Sequence, residues 1–256
     1  MSLPTLTHPS SDSVTTPPAP APPIPSSTGR PSLPQHREWW LKNLHLPTSV
    51  RNWLQEGFRI PFHSRPLRSC IPNYVNPDHH AFVDQEIARL LQTGAIREVP
   101  NEPFNVSPLT TAPKKNGRLR LCIDMRDVNT FVNAPAFKLE DLTTLAPMLE
   151  PNDRLATADL SEGYHHLRIH PDHQQHLGFS WRSRWYVYTV LPFGLSAAPW
   201  AFTKFVRPLV EYLRAKGLRV LSYIDDFIIA SKPERAASDV ALFRKTMEEA
   251  GFVLKT

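Results

Sequence analysis

Tyr223-Ile224-Asp225-Asp226 stands between two apolar runs, Leu218–Ser222 and Phe227–Ala230. Both runs are rich in Val, Ile, Leu and Phe, and neither holds a Pro or Gly, so they read as two strands joined by a bend that carries both acids. Adjacent carboxylates repel unless a cation lies between them or both project into water. The ordinary reading makes Asp225 and Asp226 turn residues, which Asp suits. The sharper reading is a divalent-metal site, and it requires a third carboxylate at the end of another strand.

Arg154-Leu155-Ala156-Thr157-Ala158-Asp159 supplies one: a short run of small and apolar residues ends in an acid and is then broken by Ser161, Glu162 and Gly163. Nucleotidyl transfer uses two Mg²⁺ ions about 3.5–4 Å apart, one at the attacking oxygen and one at the leaving group. Mg²⁺ favours a few carboxylates together with substrate phosphates. Asp159, Asp225 and Asp226 have the chemistry of such a clamp. No Lys or Arg stands within the Tyr223–Phe227 bend or beside Asp159 in sequence, so no structural counter-ion is expected there.

Three stretches in order, Asp159-Leu-Ser-Glu-Gly-Tyr164, Leu191-Pro-Phe-Gly-Leu-Ser-Ala-Ala-Pro199 and Tyr223-Ile-Asp-Asp226, resemble the successive palm motifs of reverse transcriptases. Lys114-Lys115-Asn-Gly-Arg118-Leu-Arg120-Leu-Cys-Ile-Asp124-Met-Arg126 resembles the basic fingers motif that precedes them. The likeness runs from about Ile87 to about Val253. It implies an α+β right-hand polymerase fold: an antiparallel palm sheet carrying the acids, helices behind it, and a fingers subdomain. The implied activity is RNA-directed DNA synthesis by two-metal catalysis, with Mg²⁺ as cofactor and Mn²⁺ as a substitute. Asp159 and Asp225 would bind the metals directly with Asp226 in support. Arg120 and one of Lys114 or Lys115 would contact the nucleotide triphosphate, since a guanidinium suits bidentate phosphate contact and an ammonium acts as a point charge. Tyr164 would lie under the deoxyribose, and Phe193 and Gly194 would meet the template base and the nucleotide. The implied partners are an RNA or DNA template with its primer, dNTPs, and the thumb and ribonuclease H regions of a parent polyprotein. Such regions are not among these residues: the sequence stops at the opening of the fourth palm motif, and Lys255 falls too early for the lysine of that motif. The run Gly57–Phe62 ahead of the polymerase motifs adds a likeness to retroelement polyproteins, gypsy-like or of the DIRS type. The alternative is a non-catalytic nucleic-acid-binding remnant of a retroelement, or an interaction protein acting through its N-terminal tail.

The rest of the chain is compatible. Apolar residues make up 41% of 256, enough for a sizeable core, and the net charge of +5 suits a nucleic-acid partner without requiring one. Cys70 and Cys122 stand far apart, which excludes a disulfide scaffold and a zinc ribbon. No run reaches membrane-spanning length and no secretory signal opens the chain, so an intracellular location is expected.

Residues 1–35 read as a disordered tail, because ten of them are proline and such a segment lacks both backbone donors and apolar area. Residues 36–66 form an aromatic-rich connecting segment whose Trp39, Trp40, Trp53, Phe58 and Phe62 are expected to dock on a neighbouring core. Residues 67–256 are the fingers and palm. Within them Asp78 is read as the cap of a helix over 79–92 with Phe82, Ile87, Leu90 and Leu91 inward. An Asn116-Gly117 turn joins strands over 107–112 and 119–124. Ser196 is read as the cap of a helix over 197–215, kinked by Pro208, and Pro233 opens the last helix. His165, His166, His170, His173 and His176 have spacings that invite zinc, but Pro171 interrupts them and they read better as hydrogen-bonding histidines.

Overall fold

The computed structural model describes residues 33–255 apart from Lys115 and Asn116, so the Pro-rich stretch 1–32 lies outside the described residues. In chain order the elements are α1 (Leu33–Asn43), α2 (Thr48–Glu56), β1 (Ser69–Cys70), α3 (His80–Gln92), β2 (Ile96–Val99), β3 (Asn105–Val106), β4 (Leu109–Pro113), β5 (Leu119–Ile123), α4 (Arg126–Asn129), α5 (Leu142–Leu145), β6 (Arg154–Asp159), α6 (Pro171–Gln174), β7 (Gly178–Trp181), β8 (Arg184–Tyr188), α7 (Ala198–Ala215), β9 (Arg219–Tyr223), β10 (Asp226–Ser231) and α8 (Ala236–Glu249).

Three sheets result. The central one is antiparallel throughout, in the order β6-β10-β9, and it is the expected acid-bearing sheet. Its register places Asp226 opposite Asp159 on one side and Tyr223 on the other. Phe227, Ile229 and Ser231 alternate to the back, where Phe227 meets Phe243 of α8 at 5.2 Å between ring centroids. Both rings are fully buried, and removing either would cost about 3–5 kcal/mol. The second sheet is mixed, ordered β1-β3-β7-β8-β2, with β1, β3 and β7 parallel and the β7–β8 hairpin turning through Arg182 and Ser183 at φ 50° and 60°. Positive φ at both positions gives a turn whose twist matches the strands. β4 and β5 form the basic hairpin.

Helix α7 is the spine. Phe202, Phe205, Val206, Leu209 and Leu213 recur at helical spacing and are all buried, while Trp200 is only half-buried. The helix runs on through Pro208, which cannot donate to the Lys204 carbonyl. The aromatic connecting segment docks as expected. Trp40 is fully buried, stacks on Phe205 at 4.9 Å and donates its indole N–H to the Ala250 carbonyl. That helix starts at Leu33, taking in the last three residues of the stretch read as tail.

Three helix starts differ from expectation. Asn76, not Asp78, caps the turn leading into α3: its side chain accepts the Asp78 N–H, and Asp78 lies inside the 3-10 turn Pro77–His79. Both residues are competent caps two positions apart, and Pro77 in the first turn favours the earlier one. The inward face of α3 is Val83, Ile87 and Leu90; Phe82 is half-buried and Leu91 exposed. Ser196 does not cap α7: the cap position falls one residue later, on Ala197, which has no side-chain oxygen to accept a first-turn N–H. Pro233 lies in a turn closed by Arg235 N–H to the Lys232 carbonyl, and α8 starts only at Ala236.

Candidate active site

The strands bring the three acids together at one end of the central sheet. Asp159 ends β6, Asp226 begins β10 directly opposite it, and Asp225 occupies the bend between β9 and β10. Directly opposed antiparallel residues share a face, so Asp159 and Asp226 are neighbours. The bend is strained: Ile224 adopts φ 57°, a left-handed conformation that a β-branched residue rarely takes. Such strain costs of order 1–3 kcal/mol and is held only where surrounding contacts over-determine it. Here the Asp225 carbonyl accepts the Leu160 N–H at 3.0 Å, tying the bend to the end of β6.

Two side chains on neighbouring elements fix the edge strand. Glu140 accepts the Ser222 N–H at 2.9 Å and an Arg214 N–H at 2.8 Å, while Arg214 also donates to the Val220 carbonyl. The pair satisfies backbone groups that an unpaired edge would leave open, one residue before Tyr223. Sequence reasoning missed both, since nothing local links Glu140 to a strand some eighty residues on. At the far end of the same sheet Arg219 clamps Asp153 with contacts of 2.6 and 2.8 Å and holds that carboxyl down at about 2.

The electrostatics of the acids are unfavourable as they stand. Burial, joined by the nearby Asp226 and Asp159 carboxylates, pushes the Asp225 carboxyl above its ordinary value, and Lys255 opposes the shift. Asp159 Oδ1 is buried with no hydrogen-bond partner among the described residues. The expectation that no cation stands by Asp159 is corrected: the Lys255 ammonium donates to Asp159 Oδ2. A short ladder delivers it, comprising Ser161 N–H to the Val253 carbonyl, a bridge between Leu160 and Leu254, and Lys255 N–H to the Asp159 carbonyl. His166 helps by accepting the Val253 N–H.

The donor set fits a divalent cation, since an orphaned buried carboxylate oxygen and a carboxyl raised by its acidic neighbours both call for positive charge. The present arrangement is not a coordination shell: among the described residues no three His, Cys, Asp or Glu side chains are gathered to hold an ion. That includes the histidine run. His173 Nδ1 accepts the Ile60 N–H, His176 Nδ1 bonds the Asn105 side-chain oxygen, and burial pushes His176 down to about 4. These histidines pin the connecting segment to the body of the fold.

The aromatic wall lies beside the acids. Gly163 lies close against Asp225: a Cβ there would fall 2.9 Å from the Asp225 Cβ and 3.3 Å from the Phe202 ring. Tyr164 follows, 7% exposed, with its ring 4.7 Å from Phe193 and 5.4 Å from Phe202. Burial pushes its phenol up to about 12, with Asp225 adding to the shift. Phe193 is 54% exposed, so the pair presents an open ring over a buried one. Gly194 holds φ 97°, with the Ile123 carbonyl 3.0 Å from where a Cβ would stand.

The basic hairpin is less complete. Lys114 and Arg120 are exposed, and no ion pair engages Arg120 among the described residues. Lys115 and Asn116 lie outside the described residues; the turn around them is closed by Gly117 N–H to the Lys114 carbonyl at 2.9 Å, with Gly117 at φ 77°. Arg126, just beyond the hairpin, is held bidentate by Asp124.

Comparison with known proteins follows the same lines. Residues 112–256 match the family described as reverse transcriptase (RNA-dependent DNA polymerase). The transposon Tf2-3 polyprotein of Schizosaccharomyces pombe is 29% identical over 180 residues, covering 70% of this chain and 13% of the polyprotein. The Tf2-7 polyprotein of the same organism is 28% identical over the same length. The chain thus spans about 13% of the length of the curated relatives it matches. Among solved structures, native prototype foamy virus protease-reverse transcriptase superposes with a TM-score of 0.64 at 22% identity, over 87% of this chain and 32% of that one. The foamy viral protease-reverse transcriptase in complex with RNA/DNA hybrid gives 0.66 at 20% identity, over 92% of this chain and 34% of that one. These likenesses show a shared polymerase fold. With more than half of its length matched by the family, the chain belongs to the reverse transcriptases (RNA-dependent DNA polymerases).

Proposed function

We propose that this chain carries the palm and fingers of a retroelement RNA-directed DNA polymerase, adding dNTPs to a primer 3′-hydroxyl on an RNA or DNA template. The observation that supports it most is the row of acids across the central sheet, with Asp226 opposite Asp159 and Asp225 raised by burial and by both. Reverse transcriptases use divalent metal ions, and Asp159 and Asp225, with Asp226 in support, would hold them here. When bound, Mg²⁺ would activate the primer 3′-oxygen and neutralise charge on the departing pyrophosphate. Arg120 and Lys114 or Lys115 bind the triphosphate, the first as a planar fork and the others as point charges. Tyr164 and Phe193 provide the flat surface on which the sugar and base rest, and the tight Gly163 leaves room for Asp225 beside them. Lys255 keeps Asp159 neutralised until that carboxylate is needed. Among the described residues no helix is long and apolar enough to cross a membrane.

The test is primer extension by the purified chain on RNA and DNA templates with Mg²⁺ or Mn²⁺. Template-dependent addition that disappears with Asp159→Asn is the expected result. Tight binding of primer–template without any addition, in both metals and on both templates, would instead favour the non-catalytic nucleic-acid-binding remnant.

A further inference from the structure

The loop that carries Phe193 and Gly194 is held from outside its own segment. Asn129, the last residue of α4, uses both ends of one side-chain amide on it. Its Nδ2 donates to the Gly194 carbonyl at 2.8 Å, and its Oδ1 accepts the Ser196 N–H at 2.8 Å. The amide is itself fixed: α4 is anchored by fully buried Val128 and Met125, and the Asn129 N–H bonds the Met125 carbonyl at 2.8 Å. Gly194 meanwhile lies against the Ile123 carbonyl, in the strand that leads into α4. One segment, running straight on from the basic hairpin, therefore touches the Phe193 loop on two sides.

We propose that Asn129 is a positioning residue for nucleotide selection, whose amide locks the Gly194–Ser196 backbone to the fingers and so keeps the Phe193 ring packed against Tyr164. The inference rests on the polymerase reading for its functional half. Its chemistry is specific to Asn. A carboxylate could still accept from Ser196 but would set an oxygen against the Gly194 carbonyl, and a hydrophobic residue would leave both backbone groups without their partner. Without the clamp the loop turns freely about the positive-φ Gly194, and the Phe193 ring is no longer fixed above Tyr164.

The test uses Asn129→Ala and Asn129→Asp in the 256-residue chain, with two readouts. The first is amide hydrogen exchange. Ser196 should exchange about three- to tenfold faster in Asn129→Ala, as expected for one lost hydrogen bond. It should stay protected in Asn129→Asp, while β6, β9 and β10 are unchanged in both. Ser196 exchange equal to wild type in Asn129→Ala, or a uniform loss across the central sheet, overturns the clamp. The second readout is single-nucleotide extension. Both variants should raise the dNTP KM about three- to tenfold with a smaller change in kcat, and should raise ribonucleotide use relative to deoxyribonucleotide. Equal falls in kcat for both sugars with KM unmoved overturn the selection role. A wild-type chain that extends no primer counts against the polymerase reading alone, and the exchange readout still decides the clamp.

Discussion

Lys255 donates its ammonium to the Asp159 carboxylate across 96 residues of sequence, and of the three clustered acids this is the one whose other oxygen is buried without a hydrogen-bond partner among the described residues. A metal arriving at Asp159 must displace that ammonium. Exposed pairs of this kind are worth about 0.2–1 kcal/mol, so removing the cation should sharpen metal binding by up to about fivefold. Lys255→Met is expected to lower the Mn²⁺ dissociation constant by that factor in titrations followed by electron paramagnetic resonance. Weaker Mn²⁺ binding in the variant would mean that Lys255 organises the acids and does not compete for them.

Under the proposed function, sugar choice would rest on Tyr164. Its ring is buried between Phe193 and Phe202, next to the glycine that lets Asp225 approach. An aromatic wall under the deoxyribose collides with a 2′-hydroxyl. Tyr164→Val is expected to raise ribonucleotide incorporation relative to deoxyribonucleotide in single-nucleotide extension. An unchanged ratio would remove Tyr164 from the sugar site and leave it as core packing.

Arg120 lies exposed on β5 opposite Ala112, and no ion pair engages it among the described residues. A charge-assisted contact with phosphate is worth about 1.5–3 kcal/mol, so Arg120→Ala should raise the dNTP KM by about tenfold or more. Primer–template affinity should change much less. The reverse pattern, weakened template binding with dNTP use intact, would assign Arg120 to the nucleic-acid track.

The acid limb of stability has a separate origin. Arg219 depresses the Asp153 carboxyl from 3.8 to about 2, and Arg182 with the Trp181 indole does the same for Asp84. A depressed carboxyl stabilises the fold above its unfolded value and loses that contribution as pH falls through the folded one. The melting temperature should therefore drop steeply between about pH 4 and pH 2. Asp153→Asn should already be less stable at pH 6 and should lose less on acidification. A variant whose melting curve parallels wild type across that range would show that the Arg219 contact adds nothing.

How much of this was legible beforehand depends on whether the cause was local. The three strands of the central sheet were readable because short apolar runs, Val-, Ile- and Leu-rich in β9 and β10 and small in β6, end at acids, and the two acid-bearing ends follow from those boundaries. The docking of Trp40 was readable as an aromatic strip needing a core. Within the second sheet β1 and β3 were not legible, since they are two residues each and pair in parallel with distant partners. Asn76 and Asp78 are equivalent as caps on paper, and only the position of Pro77 separates them. Ser196 has the right residue type for a cap, yet α7 begins one position later than that reading needs, with Ala197 at the cap. The Lys255 contact and the Glu140–Arg214 brace likewise exist only once β6, β9 and the C-terminal bridge are in place.

The acid cluster itself yields the most direct prediction. Asp225 is half-buried, stands with two other carboxylates, and is held by a strained bend at Ile224. Its charged form is disfavoured in the fold, so its raised carboxyl works against stability at neutral pH and the penalty fades as pH falls through the folded value. Asp225→Asn removes that penalty with little change in shape. In the absence of metal the variant should therefore melt at or above the wild-type temperature near pH 7, with the difference shrinking on mild acidification. Mg²⁺ should stabilise the wild type and not the variant, because a ligand that binds only the folded state raises its melting temperature. Primer extension should be abolished while RNA–DNA hybrid binding survives. A variant that extends a primer as well as the wild type, and that responds equally to Mg²⁺, would make Asp225 and Asp226 turn residues and remove the metal site from the central sheet.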